Sequence, residues 1–110
     1  MSNNLDGTWI VAAYRSGDEL VTPDEHAPQA VLTIDGASIS GTMGINRFAG
    51  RVEGGLVVSP LATTRMAGPP DLMDQESTLL RHLAEADLIE VDGDGMTMGK
   101  NGLNTVELRR

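Results

Sequence analysis

The chain contains no cysteine, which excludes a disulfide, a thiolate nucleophile and a cysteine-ligated zinc site. Aromatics are scarce too: one Trp, one Tyr and one Phe in 110 residues leave the core to be built from aliphatic side chains and methionine. Basic residues are few, 8 Lys and Arg against 16 Asp and Glu, for a formal net charge of −8. That balance repels nucleic-acid phosphates and anionic lipid surfaces, and the Arg109-Arg110 pair is too short to act as a basic patch. No apolar run approaches the length of a membrane span. The opening residues Met-Ser-Asn-Asn-Leu-Asp carry neither the basic nor the apolar section of a signal peptide. The expectations are one domain over residues 1–110, no nucleic-acid partner, no membrane insertion and a cytoplasmic location.

What the chain does have is short runs of period two. Thr8 to Ala13, Ala30 to Ile34, Ser38 to Met43, Leu56 to Ser59, Leu88 to Asp92, Met96 to Met98 and Thr105 to Arg109 each alternate apolar with polar residues. Glycine-bearing turns separate them at Asp35-Gly36, Glu53-Gly54-Gly55, Asp92-Gly93-Asp94-Gly95 and Lys100-Asn101-Gly102. This spacing predicts an antiparallel meander of about seven or eight strands. One stretch breaks the period: Asp71 to Ala86 places Leu72, Leu79, Leu80 and Leu83 at helical spacing behind Pro69-Pro70. A single helix on an antiparallel sheet is an α+β domain. Arg15 to Pro28 is polar and reads as a long loop between the first two strands.

Two glycine-punctuated segments stand out as loops. The first is Gly41-Thr-Met-Gly44-Ile-Asn46-Arg47-Phe48-Ala-Gly50, and the second is Leu61-Ala-Thr63-Thr64-Arg65-Met66-Ala-Gly68-Pro69-Pro70. Glycines 41, 44 and 50 permit backbone paths that a Cβ would obstruct, Asn46 can bond its own neighbouring backbone, and Phe48 suits an inward anchor. Thr63 and Thr64 could satisfy loop backbone or cap the helix. A scaffold role accounts for both segments without a ligand. The pair resembles the signature of the META domain, or HslJ-like, family: G-x-x-G-C-N-x-F/Y-x-G followed by T-T-x-M-A-C-P and a helix. The Leu5-Asp-Gly-Thr-Trp9 start, Leu32-Thr33-Ile34, Met73-Asp-Gln75-Glu76 with Leu79-Leu80, and Val91-Asp-Gly93 extend the resemblance over nearly the whole chain. It implies a strongly twisted, partly closed antiparallel sheet capped by one helix. Where many family members carry cysteine, this chain has Ile45 and Gly68, a departure that points to a reducing compartment.

Glu76 is the candidate for chemistry, because Leu72, Leu79 and Leu83 place it on the apolar face of the helix. A carboxylate there must find donors, whether loop N–H groups, Arg47 or Arg65, or else serve as a general acid or base in a pocket. His82 and His26 read as surface residues with no third group spaced for a metal site or triad. Asp92-Gly-Asp94-Gly lacks the later ligands of a calcium loop, Gly93-x-Gly95 lacks the third glycine of a dinucleotide fingerprint, and Gly99-Lys100 is followed by Asn101. All three read as turns. The methionines read as core filling rather than an adaptable surface.

The expected function is a non-enzymatic binding or interaction module that needs no cofactor or metal. The resemblance implies a link to stress or envelope physiology. Its expected site is Asn46, Arg47, Thr64, Arg65 and Glu76, facing a small anionic or peptide ligand or an unknown protein, and the chain is expected to be a monomer. Two alternatives are a hydrolase or isomerase using Glu76 as general base, and a structural subunit that associates through an exposed strand edge.

Overall fold

The structure is a computed structural model that describes residues 5–23 and 29–110. Among the described residues, nine antiparallel strands and one helix follow one another in sequence. They are β1 (Gly7–Ser16), β2 (Glu19–Val21), β3 (Val31–Asp35), β4 (Ser38–Thr42), β5 (Arg47–Glu53), β6 (Leu56–Thr63), α1 (Pro70–Glu85), β7 (Leu88–Asp92), β8 (Gly95–Lys100) and β9 (Leu103–Arg109). The strands form one sheet in the order β6-β5-β4-β3-β1-β9-β8-β7, with β2 paired on β1. This sheet curls into a nearly closed barrel, and α1 packs against β6, β8 and β9. The α+β architecture is the expected one.

Alternation builds the core. Trp9, Leu32, Ile34, Ile39, Phe48, Met96, Met98 and Val106 all point inward, and Leu79 and Leu83 of α1 enter the same cluster fully buried. Each buried leucine of this kind contributes about 2 kcal/mol. Trp9 is closed off by polar neighbours: its Nε1 donates to Leu5 O at 2.9 Å, and the Arg110 guanidinium lies 4.1 Å from the ring centroid. Met43, Met96 and Met98 are core residues, whereas Met66 and Met73 are exposed.

The turns follow the glycines. Gly36, Gly54, Gly55, Gly93 and Gly102 all have positive φ, as does Asn101, so the Asn101-Gly102 pair makes the tight β8–β9 turn. The three motif lookalikes fall in these hairpins. Proline also has a positional meaning. Ala49 pairs Ala62 and Arg51 pairs Val58, so residues 59–61 of β6 bulge opposite Gly50. Pro60, which has no N–H to give a ladder, sits in that bulge.

Three expectations need correction. Arg15 to Pro28 is not a loop throughout: β1 runs to Ser16 and turns directly into β2, with Tyr14 opposite Val21. Polar side chains hid this hairpin because neither strand has a buried face there; residues 24–28 and His26 lie outside the described residues. The two signature segments are also shorter loops than they read. Arg47–Glu53 and Leu56–Thr63 are strands, which leaves 43–46 and 64–69 as connections. Lastly, α1 has no side-chain cap: Pro69 is its N-cap and Pro70 occupies the first turn, where a missing N–H costs nothing. No helix among the described residues is long and apolar enough to cross a membrane.

Candidate functional site

The connection 43–46 meets the second turn of α1, and glycine makes the approach possible. A Cβ on Gly44 would stand 3.0 Å from Leu72 O and 3.2 Å from Glu76 Cβ. Gly41, three residues earlier in β4, has φ 155°, and a Cβ there would come within 2.8 Å of Leu32 Cα on the neighbouring strand β3. Two helix side chains then reach the loop. Gln75 Nε2 donates to Met43 O at 3.1 Å, and Glu76 takes the rest.

Glu76 is buried and fully engaged. Its Oε1 accepts Ile45 N–H at 2.9 Å and Asn46 N–H, while Oε2 accepts the Asn46 side-chain amide at 2.8 Å. The donors are therefore loop amides, and neither Arg47 nor Arg65 is its partner. The helix terminus is not its stabiliser either, since α1 starts at Pro70 and the end field fades within the first turn. What was legible was the anomaly of a carboxylate on an apolar face; the partner was not, because the partners are backbone groups that no side chain advertises.

Asn46 links this helix to the second connection. Its Nδ2 also donates to Met66 O at 3.1 Å, and its Oδ1 accepts Thr64 Oγ1–H at 2.9 Å and Met66 N–H at 2.6 Å. Two donors and two lone pairs are thus all used. Asn46 bonds across the fold rather than to its own neighbours. Thr64 in turn accepts Arg47 N–H on its Oγ1 at 3.0 Å and donates its own N–H to Arg47 O at 3.0 Å. The hydroxyl of Thr64 serves this chain of bonds and not the helix N-terminus. Glu76, Asn46, Thr64 and the backbone of Arg47 form one continuous clamp that joins α1, β5 and the end of β6. Gln75 and the Met66 backbone belong to it as well, and sequence reasoning missed both. Among the described residues, no buried side-chain nitrogen or oxygen lacks a partner.

Arg47 is different. Its backbone is clamped, but its guanidinium makes no hydrogen bond or ion pair among the described residues, and it projects from the outer face of the barrel. There it lines a groove of about 690 Å³ that crosses β3, β4, β5 and β6. Ser40, Ala49 and Ala62 are cross-strand partners and form its small-residue floor, while Val31, Thr42 and Arg47 form the neighbouring row. Thr63 and Thr64 close one end, and among the described residues Arg47 is the one charged residue that lines it. Arg65 is exposed and outside the groove. The five expected site residues therefore divide: Asn46, Thr64 and Glu76 come together in the clamp, Arg47 and Thr64 reach the groove, and Arg65 stands apart.

His82 is half-buried rather than a surface residue, with Nε2 at 2.7 Å from Arg15 O. Among the described residues, no three His, Asp or Glu converge as metal ligands. A smaller cavity of about 220 Å³ lies at the barrel seam, between the β5–β6 turn and Asp87, Leu88 and Ile89 at the start of β7.

Comparison with known proteins agrees with this architecture. The profile of the META domain matches residues 3–110. No curated protein matches the chain. A solved NMR structure of a protein from Burkholderia xenovorans is similar in fold, with a TM-score of 0.75 at 24% identity, covering 96% of this chain and 81% of that one.

Proposed function

The chain belongs to the META domain family, and from that premise we propose that it is a non-enzymatic binding module whose ligand site is the outer groove at Arg47. The observation that carries this reading is the guanidinium, unpaired among the described residues, over a mostly apolar groove, held in place by a backbone clamp that engages Thr64, Asn46 and Glu76. A cation unpaired among the described residues, in a chain of net charge −8, is a local exception to the field around it, and its forked donors suit an anionic group. Against a general base at Glu76 stands the geometry of its carboxylate, which accepts three hydrogen bonds from Ile45 and Asn46 and faces a loop rather than the groove. Stress or envelope physiology, a cytoplasmic location and a monomeric state belong to the same proposal.

A thermal-shift screen of anionic metabolites and acidic peptides tests it. At a hundred times its Kd a ligand adds about 2.7 kcal/mol to stability, a shift of several degrees for a domain of this size. Arg47→Ala should abolish the shift and leave the unliganded Tm in place. A shift that survives Arg47→Ala places the ligand elsewhere.

One observation favours a second reading, association through a strand edge. β7 is the last strand of the sheet order, and its outward Leu88 is 52% exposed beside the seam cavity. Light scattering at high concentration distinguishes this from a monomer, and Leu88→Lys should dissolve any assembly that forms.

A further inference from the structure

We propose, resting on the groove as the ligand site, that its ligand is a slender monocarboxylate with an unbranched apolar tail, lying across β4, β5 and β6 with its carboxylate on Arg47. Three observations select this class. The first is charge. Among the described residues Arg47 is the one charged residue lining the groove, and the Thr64 hydroxyl is already committed to Asn46 and the Arg47 amide. A carboxylate matches one guanidinium fork, whereas a dianionic phosphate would keep an uncompensated charge in a chain of net charge −8.

The second is shape. The groove spans four strands, three spacings of about 4.8 Å, so it is ~14 Å long. Its floor of Ser40, Ala49 and Ala62 leaves room for a narrow chain, with Val31 adding apolar wall. The third is the state of the backbone. β4 and β5 are each paired on both sides, so their ladder groups are taken. A peptide laid across them would find no main-chain donors or acceptors, and its own amides would lose water without replacement. A hydrocarbon tail has no such groups to satisfy.

The test is an amide NMR titration of the whole chain with decanoate below its micelle concentration, run beside decanol, acetate, inorganic phosphate and a short acidic peptide. Decanoate should move the amides of Ser40, Thr42, Ala49 and Ala62, and bind at least about tenfold more tightly than decanol or acetate. Arg47→Met should weaken decanoate roughly 10- to 100-fold and leave decanol unchanged, since one charge-assisted pair is removed. Ala62→Leu, which fills the floor, should weaken decanoate and decanol alike. If phosphate or the peptide moves these amides and decanoate does not, the monocarboxylate assignment falls and the anion groove stands. If no probe moves them, both fall. Decanoate shifts that are unaffected by Arg47→Met, or that are scattered over Leu88 and Leu103, would be detergent adsorption and would overturn the proposal.

Discussion

Asn46 and Arg47 are adjacent in the chain and opposite in condition. Asn46 turns inward, is 9% exposed and has every side-chain donor and acceptor in use; Arg47 turns outward, and its guanidinium has no partner among the described residues. Asn46 ends the connection that packs under α1 and Arg47 begins β5, so the two side chains lie on opposite faces of the barrel wall. One face uses polarity to hold the fold together, and the other leaves it available. The difference teaches that a polar residue in a signature segment is a candidate for binding only when its hydrogen bonds are not already spent. By that criterion Glu76 and Asn46 move to the scaffold, and Arg47 remains.

The largest effect should come from breaking the clamp. Glu76→Ala leaves Ile45 N–H, Asn46 N–H and the Asn46 amide without their acceptor in a buried place. Each stranded group costs about 1–3 kcal/mol, so a loss on the order of 3 kcal/mol or more is expected in chemical denaturation. A loss below about 1 kcal/mol would show that water replaces the carboxylate, and the inward face would then be no more committed than the outward one.

Next comes a covalent version of the same contact between the two connections. Ile45 packs directly on Gly68: a Cβ at 68 would lie 2.9 Å from Ile45 Cγ1. These are the two positions that correspond to the cysteines in the family signature, and here a large side chain fills the place left by a glycine. Ile45→Cys with Gly68→Cys should form a disulfide, and the oxidised form should exceed the reduced one by about 3 kcal/mol in the chain-entropy picture. Equal melting of the two forms would mean that the connections are not held at that separation.

Gly44→Ala should cost about 1–3 kcal/mol, because the new methyl meets Leu72 O and Glu76 Cβ at less than ordinary contact distance. The smallest effect concerns Tyr14, the one tyrosine. Burial pushes its phenol above the ordinary 10.0, so the unfolded chain loses this proton first as pH rises. Stability is unaffected by this group below pH 10.0 and falls as pH climbs past it. Tyr14→Phe should remove that part of the alkaline slope, as followed by denaturant midpoints across the range.

The fold was largely legible and the site half so, for physical reasons. Strands with one buried face announce themselves by period two, as in Val31–Asp35 and Leu88–Asp92, and α1 by the spacing of Leu72, Leu79 and Leu83. β2 carries no buried residue, and β5 hides behind Gly50 and Asn46, so local composition read both as loop. Glu76 was visible as a charge in an apolar stripe. The clamp was not, because six of its bonds involve backbone N–H or C=O groups of Ile45, Asn46, Arg47 and Met66, whose placement depends on the tertiary fold. The groove was out of reach for the same reason: Ser40, Ala49 and Ala62 are nine or more residues apart and meet only through strand register.

A paired melt of Glu76→Gln and Arg47→Gln tests the contrast most directly, since each removes one charge and leaves a polar amide in its place. Glu76→Gln should lower Tm by several degrees through its mismatched amide against Asn46, while Arg47→Gln should melt with the parent protein. An Arg47→Gln protein as damaged as Glu76→Gln would contradict that contrast, because Arg47 would then be holding the fold rather than waiting for a ligand.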